Sequence, residues 1–466
     1  MAERNHFDLV CIGSGPAGHR AAIQAAKLGK RVAIIERRRV VGGVCVDSGT
    51  IPSKTFREAV VAVAGTGARG HRRWRIRSED RPSAAGLLAR VSDVVETEAD
   101  VLADQLYRND IKLLRGSASF LDPHTIEVAT DELPTVVSTD FALIAVGTRP
   151  IPPPGLPEDG EIVITSDGIT RLKSLPKTMA VVGAGVVGIE YASMFAALDI
   201  KVTVVDKRDR PLEFLDREIV DEMLHQMRQR EVTFRFGEAV ERLDVSASLP
   251  RRAVLLLESG KRIVSDLVLY TAGRVGSTGG LGLEKAGVSV DDKGRIAVDE
   301  SFRTSAPHIF AAGDVIGYPS LAATSAEQGR LAACHAFGLP AGRMPTNFPF
   351  GIYAIPEISM VGATEAELTA KRVPYEVGVA RYSEIARGQI LGDDSGLFKM
   401  LFHREDGQLL GAHAIGTGAT ELIHIAQAVL TLGGGLDYFL DTVFNYPTLA
   451  ECYKVAALDA ANRLAR

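Results

Sequence analysis

The sequence lacks the features that define several large classes of protein. Its 4 cysteines are scattered over 466 residues, without disulfide or metal-ligand spacing. No apolar run reaches the roughly 18 residues that cross a bilayer, and a net charge of −5 leaves no basic footprint for nucleic acid. The basic run Arg69–Arg77 is interpreted as a solvated loop. We therefore expect no metal, membrane or nucleic-acid partner. We also expect a cytoplasmic location, because an apolar strand begins near Phe7 and leaves no room for a signal peptide.

A second thiol is absent from residues 42–54, where a two-cysteine redox motif could stand. Cys45 is followed five residues later by Thr50. A threonine hydroxyl cannot close a disulfide or carry electrons as a thiolate. Any redox chemistry at this segment must therefore work without a dithiol.

The composition is otherwise that of a globular protein with enough apolar residues for several cores. The hydrophobic fraction is 46% and the charged fraction 24%. The length suggests about three domains of ordinary size.

The first nucleotide-binding fingerprint lies at the start of the chain. A strand ends at Ile12, residues 13–18 read Gly-Ser-Gly-Pro-Ala-Gly, an Ala-rich helix follows, and a second strand ends in Glu36. Glycines in this setting make the turn and let the backbone approach a pyrophosphate at the helix N-terminus. The acid is placed to accept hydrogen bonds from an adenosine ribose.

A second fingerprint repeats the first with the same spacing. Its strand begins at Met179, residues 183–188 read Gly-Ala-Gly-Val-Val-Gly, and the next strand ends in Asp206. In both copies the acid stands 18 positions after the last glycine. Two fingerprints, each in its proper context, predict two dinucleotide sites: a tightly held FAD on the first and an exchanging nicotinamide nucleotide on the second.

Three apolar segments complete this layout. Residues 141–150 and 267–274 are predicted as equivalent strands of the two halves, each ending near a glycine. Residues 309–314 are an apolar strand that would place Asp314 at a strand C-terminus, where open α/β sheets bind ligands.

Together these segments resemble the FAD-dependent pyridine nucleotide–disulfide oxidoreductases, such as lipoamide dehydrogenase and glutathione reductase, over essentially the whole chain. The resemblance implies an α/β fold with two Rossmann-like domains and a C-terminal α+β dimerisation domain. Its implied order is FAD-binding (1–150), NAD(P)-binding (151–278), a central domain completing the FAD site (279–346) and dimerisation (347–466). It also implies one tightly bound FAD per chain, NAD(H) and NADP(H) as substrates, and a homodimer or higher homo-oligomer.

The resemblance also assigns site residues. Asp314 matches the residue that binds the flavin ribityl chain, and Lys54 matches a lysine near flavin N5 that pairs with a glutamate matching Glu190. The catalytic candidates are Lys54, Glu190, Cys45 and Thr50. The cofactor-binding candidates are Gly13, Gly15, Pro16, Ala17, Glu36, Arg37, Gly43, Val44, Cys45, Gly49, Thr50, Lys54, Ser117, Ala118, Ala145, Gly147, Gly183, Gly185, Val187, Gly188, Glu190, Asp206, Lys207, Arg208, Val240, Gly273, Arg274, Gly313, Asp314, Leu321, Ala322 and Ala323.

The chain departs from the disulfide reductases at two positions that serve one function. Thr50 replaces the distal cysteine. The C-terminal His-Pro-Thr motif begins here with Tyr446, while the glutamate that follows it remains as Glu451. A phenol is a poorer proton shuttle than an imidazole near neutral pH, so the whole disulfide half-reaction is predicted to be absent.

With these two departures, the sequence resembles the soluble pyridine nucleotide transhydrogenase subfamily, in which both are the usual pattern. Its members move hydride between NADPH and NAD⁺ through the flavin by a ping-pong mechanism. An NAD(P)H:quinone or dye reductase on the same scaffold remains an alternative, as does a flavin-bound sensing subunit without turnover. A disulfide reductase such as dihydrolipoamide dehydrogenase is disfavoured by Thr50.

The residues after the second fingerprint suggest use of both nicotinamide nucleotides. Asp206 favours the 2′-hydroxyl of NAD, whereas Lys207, Arg208 and Arg210 could reach the 2′-phosphate of NADP. A solvated charged loop is the alternative interpretation. Arg274 is predicted on a loop that could also meet the nucleotide.

Overall fold

The computed structural model describes residues 5–65, 82–130, 133–153, 159–246 and 249–465. The predicted loop Arg69–Arg77 lies outside these ranges. Within them, no helix combines the length and apolarity needed to cross a membrane.

The helices are α1 (Pro16–Ala26), α2 (Gly43–Asp47), α3 (Thr50–Ala64), α4 (Ala84–Arg108), α5 (Val186–Ala197), α6 (Arg217–Gln229), α7 (Ala322–Ala336), α8 (Glu365–Ala370), α9 (Ala386–Leu391), α10 (Ala419–Thr431), α11 (Leu436–Asp441) and α12 (Glu451–Leu464).

The strands are β1 (His6–Ile12), β2 (Val32–Glu36), β3 (Lys112–Arg115), β4 (Ser117–Asp122), β5 (Thr125–Ala129), β6 (Thr135–Ile144), β7 (Thr148–Pro150), β8 (Val163–Thr165), β9 (Thr178–Val182), β10 (Lys201–Asp206), β11 (Thr233–Phe236), β12 (Val240–Val245), β13 (Ala253–Leu257), β14 (Arg262–Ser265), β15 (Leu267–Tyr270), β16 (Arg274–Gly276), β17 (Ile309–Ala311), β18 (Phe350–Ile352), β19 (Ile358–Gly362), β20 (Tyr375–Arg381), β21 (Leu397–His403) and β22 (Leu409–Ile415).

The chain divides into two compact units, each assembled from three segments. Unit 1 is made of Met1–Phe56, Leu88–Ile151 and Gly273–Met344. Unit 2 is made of Arg57–Leu87, Pro152–Ala272 and Pro345–Arg466. The four-domain order stays a prediction.

Unit 1 contains a mixed sheet in the order β3-β2-β1-β6-β5-β4, with β17 also pairing with β6. Strands β1, β2, β3, β17 and the end of β6 run parallel, and their buried apolar residues fit a sheet covered on both faces. One face packs residues such as Val10 and Ile144, and the other packs Cys11 and Leu143 against α1 and α7.

The predicted strands 141–150 and 267–274 are each interrupted, which corrects that part of the sequence analysis. Strand β6 ends at Ile144 and β15 at Tyr270. The chain then leaves both sheets, and β7 pairs antiparallel with β16. The breaks contain Gly147 (φ +64°) and Gly273 (φ +152°), whose left-handed conformation does not continue a strand.

Unit 2 contains an all-parallel sheet in the order β11-β10-β9-β15-β8, and a separate antiparallel sheet β12-β13-β14. Both share a core in which Val163, Ala180 and Val268 pack near Leu255. The parallel strands and α5 confirm the predicted second Rossmann-like fold.

The C-terminal part of unit 2 is α+β, as predicted. Its antiparallel sheet runs β18-β19-β22-β21-β20 and packs against α10 and α12. The buried Tyr453 joins the two helices, because its hydroxyl donates to Leu422 O (2.6 Å) and accepts from Ala426 N (3.0 Å).

A buried lysine links this sheet to the start of α6. The Lys399 side chain is fully buried. Its Nζ donates to Asp216 Oδ1 (3.0 Å), Glu218 Oε2 (3.1 Å) and Glu365 Oε1. Burial raises the pKa of Asp216, but the charges of His413 and Lys399 and the hydrogen bonds outweigh it, so the net pKa falls below its ordinary range.

Replacing Lys399 by methionine should destabilise unit 2 in a pH-dependent way. We expect a loss of about 3 kcal/mol at pH 7, because a buried carboxylate loses its cation. A folded-state pKa below the unfolded value of Asp216 stabilises the protein above that value, and this contribution is lost as the pH falls through the folded pKa. The deficit of the variant should therefore shrink below about pH 4.

Denaturant unfolding of both proteins from pH 3 to 8 measures the effect. Lys173→Gln, at an exposed pair with Glu161, is the control. An equal deficit at every pH would contradict the electrostatic explanation.

Candidate functional site

The first glycine turn brings the backbone close to the N-terminus of α1. Gly13 has φ +103°. A Cβ at Gly18 would lie 1.9 Å from Gly13 O, so only glycine allows this approach. Gly15 caps α1 and Pro16 opens it. A Cβ at Gly15 would meet no atom within 4 Å, which leaves room before the helix.

Glu36 fixes this turn from the end of β2. Its Oε2 accepts hydrogen bonds from Ser14 N (3.0 Å) and Ser14 Oγ (2.6 Å), and its Oε1 accepts from Arg38 N (2.7 Å). Ser14 Oγ also accepts from Gly42 N (3.0 Å). One carboxylate therefore joins the glycine turn to the segment that leads into α2.

The second turn repeats the geometry of the first. Gly183 has φ +107°, and a Cβ at Gly188 would lie 1.9 Å from Gly183 O. Gly185 caps α5, and a Cβ there would also meet no atom within 4 Å. The structure therefore bears out the duplication that the spacing predicts.

Asp206 holds the second turn as Glu36 holds the first, but it also carries an ion pair. Its Oδ2 accepts from Ala184 N (2.6 Å) and its Oδ1 from Arg208 N (2.8 Å). The Arg208 side chain donates through Nε to Oδ1 (3.0 Å) and through Nη2 to Oδ2 (2.7 Å). Burial raises the pKa of Asp206, but these hydrogen bonds outweigh it and the net pKa is lowered.

The predicted basic cluster is thus partly neutralised within the protein. Arg208 pairs with Asp206, and Arg210 pairs with Asp221. The Arg208 side chain is still 42% exposed, so its outer face is accessible to an anion.

The segment with the missing thiol forms the junction of α2 and α3. Cys45 lies in α2, and Thr50 opens α3 with Pro52 in its first turn. Burial raises the pKa of the Cys45 thiol, and a hydrogen bond with the Thr50 side chain opposes this in part. All four cysteines lie in the described ranges, and each is a free thiol.

Asp314 lies just beyond β17, at the end of the unit 1 sheet. Its Oδ2 accepts from Thr148 Oγ1 (3.4 Å), and burial raises the pKa of its carboxyl group. Arg274 donates to Thr148 Oγ1 (2.8 Å) and Thr148 O (3.0 Å). Arg274 therefore lies on β16 beside the Asp314 carboxyl, whereas the sequence analysis predicted it on a loop.

Glu190 lies on α5, 3% exposed. Its Oε1 accepts a hydrogen bond from Tyr353 N (2.8 Å). The backbone near β18 therefore fixes the orientation of this carboxylate.

Tyr446, which replaces the family's histidine, and Glu451, the glutamate that remains, have different environments. Tyr446 is 67% exposed. Glu451 opens α12, and its Oε2 is buried without a hydrogen-bond partner in the described structure.

The remaining predicted residues fall at element ends. In unit 1 these are Arg37 after β2, Gly43 and Val44 in α2, Gly49 between α2 and α3, Lys54 in α3, Ser117 and Ala118 in β4, Ala145 and Gly147 between β6 and β7, Gly273 before β16, Gly313 before Asp314, and Leu321, Ala322 and Ala323 at the start of α7, with Ala17 in α1. In unit 2 they are Val187 in α5, Lys207 after β10 and Val240 at the start of β12.

The sequence analysis missed three residues that support these sites. Ser14 bridges Glu36 to Gly42, Arg38 pairs with Asp47, and Thr148 joins Asp314 to Arg274. Ser14 and Thr148 stand inside recognised motifs, so a search for hydroxyls beside the key acids could have found them.

The residues present fit FAD on unit 1. The open space at Gly15, which a Cβ would occupy, admits a pyrophosphate at the helix N-terminus. Glu36, predicted to accept from a ribose, lies beside this turn at the end of β2, and the buried Asp314 carboxyl could offer polar oxygens to a ribityl chain. Unit 2 has the same open position at Gly185.

Comparison with known families agrees with this geometry. Residues 7–329 match the family described as pyridine nucleotide-disulphide oxidoreductase, and residues 348–457 match its dimerisation domain. The chain belongs to this family of oxidoreductases, whose members bind FAD and a pyridine nucleotide and associate through that domain.

Individual relatives within this family share one name. The chain is 55% identical over 460 residues to the soluble pyridine nucleotide transhydrogenase of Mycobacterium tuberculosis, covering 98% of both chains. It is 42% identical over 469 residues to a protein of that name from Marinomonas, covering 98% of this chain and 99% of the other.

Solved structures of similar fold include flavoprotein disulfide reductases. The HOCl-induced flavoprotein disulfide reductase RclA from Escherichia coli superposes with a TM-score of 0.87 at 26% identity. LpdA from Mycobacterium tuberculosis has a TM-score of 0.88, also at 26% identity. Each comparison covers 97% of this chain and 99% of the other.

Matched substitutions in the two turns should separate the two nucleotide sites. In Gly18→Ala or Gly188→Ala, the added methyl must displace the preceding turn, because its ideal position lies 1.9 Å from a carbonyl oxygen. We expect Gly18→Ala to purify with less FAD. We expect Gly188→Ala to retain FAD and to bind nicotinamide nucleotide at least tenfold more weakly, a loss of about 1.4 kcal/mol.

Flavin absorbance per chain and titration with NADH measure the two effects. Each variant is the control for the other. Loss of FAD in Gly188→Ala with full retention in Gly18→Ala would reverse the assignment.

Proposed function

We propose that this protein is an FAD-dependent soluble transhydrogenase that moves hydride between NADPH and NAD⁺. The observation that carries the proposal is the combination of two intact nucleotide turns with Thr50 in place of a second redox cysteine. Tyr446 in place of the acid–base histidine supports it, as do the relatives of that name at 55% and 42% identity.

The chain's own residues would bind and orient the reactants. When bound, FAD would supply the hydride-transfer chemistry between the two nicotinamide nucleotides. Lys54 and Glu190 are assigned to the flavin N5 edge, and Asp314 to the ribityl chain. The N-terminus of α3 favours negative charge near the flavin. Cys45 is assigned a packing role, since burial raises its thiol pKa and keeps it protonated near neutral pH.

The proposal also covers cofactor stoichiometry and assembly. We assign one tightly bound FAD to each chain and a homodimer as the smallest assembly. The cytoplasmic location also stays a prediction.

Use of both nucleotides is explained by the Asp206–Arg208 pair. An unpaired acid would repel a 2′-phosphate, whereas here the guanidinium offsets the carboxylate charge. The four hydrogen bonds from Ala184 N, Arg208 N and the Arg208 side chain fill the carboxylate's acceptor positions, so it can accept from the ribose hydroxyls of NAD once the Arg208 side chain releases it. The exposed face of Arg208 can donate to the phosphate of NADP. One loop thereby accepts either ligand.

The proposal is tested by half-reactions in the absence of oxygen. NADPH should bleach the bound flavin, and NAD⁺ added afterwards should restore its colour and yield NADH. Flavin that NADPH leaves oxidised would reject both oxidoreductase interpretations. Flavin that is reduced by NADPH, and reoxidised by a quinone but not by NAD⁺, would favour the quinone reductase alternative.

Arg208→Gln should discriminate against NADPH. We expect its KM for NADPH to rise about tenfold, since a hydrogen bond from a charged group contributes about 1.5 kcal/mol or more. Its KM for NADH should change little, because Asp206 remains. Arg217→Gln, at a side chain 78% exposed on α6, is the control. Equal increases for both nucleotides would contradict the role given to Arg208.

Thr50→Cys should not create a disulfide reductase. The substitution restores a second thiol near Cys45, but Tyr446 still stands where the acid–base histidine is needed. We expect no turnover of lipoamide or glutathione disulfide above the level of the unaltered protein. Thr50→Ser is the matched control, and multiple turnovers by Thr50→Cys alone would refute the explanation.

A further inference from the structure

Helix α3 carries a buried arginine, Arg57, that has no role in the hydride transfer as described above. The Arg57 side chain is 8% exposed. Its Nε donates to Ala354 O (3.0 Å), its Nη2 lies 3.0 Å from Glu357 Oε1, and its Nη1 donates to Glu58. Every edge of the guanidinium therefore has a partner.

Glu357 is held as firmly as the arginine. It is 9% exposed, and its second oxygen, Oε2, accepts from Thr420 Oγ1 (2.8 Å) and Thr420 N (3.3 Å). A buried ion pair gains little stability over apolar residues of the same volume. The several hydrogen bonds of the planar guanidinium do fix the direction and distance of the groups that it joins.

The backbone that Arg57 holds also holds Glu190. Tyr353 N donates to Glu190 Oε1 (2.8 Å), and Ile355 N donates to Ser193 Oγ (2.9 Å) on the same helix, α5. Ala354, whose carbonyl binds Arg57, lies between these two donors. A shift of this three-residue stretch would move the amide that orients the Glu190 carboxylate.

Arg57 also shares a face of α3 with two of the catalytic candidates, Thr50 and Lys54. Thr50, Lys54 and Arg57 are spaced i, i+4 and i+7 along α3, which places them on one side of the helix. Arg57 thus joins α3 to the backbone that orients Glu190.

We propose that Arg57, with Glu357, is a positioning residue for hydride transfer. It sets where residues 353–355 lie relative to α3 and thereby orients Glu190, without touching substrate or cofactor itself. This inference rests on the proposed function, in which Lys54 and Glu190 serve the flavin edge.

The test compares Arg57→Gln, Arg57→Lys and the unaltered holoenzyme by anaerobic stopped-flow reduction with NADPH. We expect the limiting rate of flavin reduction in Arg57→Gln to fall about tenfold to a hundredfold, because a misplacement of about 1 Å can cost that much. The dissociation constant for NADPH should change much less. Arg57→Lys keeps the positive charge but loses the planar set of donors, so its rate should lie between those of Arg57→Gln and the unaltered protein. The flavin absorbance maximum should shift in Arg57→Gln.

Lys399→Met is the matched control, since it also removes a buried cation of unit 2. Its thermal stability should fall, yet its limiting rate should stay within about twofold of the unaltered protein, as expected for an independent site. A parallel fall in rate would reduce the Arg57 effect to general destabilisation and overturn the proposal.

Two further outcomes are decisive. If Arg57→Gln does not fold, Glu357→Gln and Arg57→Lys replace it, and unaltered rates and spectra in these two would overturn the inference. If the unaltered protein reduces its flavin with NADPH but passes no hydride to NAD⁺, the proposed function fails. The flavin reduction rates would still decide the role of Arg57.

Discussion

Two buried carboxylates hold the glycine turns on which both nucleotide sites depend. In each unit the acid at the end of the second parallel strand accepts a backbone N–H from the turn at the end of the first. Glu36 does so with Ser14 at 3.0 Å, and Asp206 with Ala184 at 2.6 Å. The turn backbone is thereby fixed before any ligand arrives, and its helix N-terminus stays open to phosphate.

The two copies differ at the acid in a way that suits their different tasks. Glu36 accepts from the Ser14 hydroxyl as well as from backbone N–H groups, an arrangement suited to the single tightly held cofactor proposed for unit 1. Asp206 instead pairs with Arg208, a partly exposed cation. A site that exchanges two related ligands benefits from a partner that can serve either.

Much of the fold and both glycine turns follow from the sequence because their signals are local. A fingerprint and its acid lie within about 25 residues, and the turn geometry needs glycine at fixed spacing. Arg57 and Ala354 are 297 positions apart, and no local pattern marks either. The breaks after Ile144 and Tyr270 were missed because apolar residues continue past the point where the chain leaves the sheet.

The interleaving of the two units limits how this protein can be made and cut. Unit 1 is complete only at Met344, and unit 2 begins at Arg57 yet ends with the chain. A ribosome must therefore release nearly three-quarters of the polypeptide before the first unit can close, and all of it before the second can. Neither unit corresponds to a continuous fragment, so cutting the chain anywhere between Arg57 and Met344 divides both units.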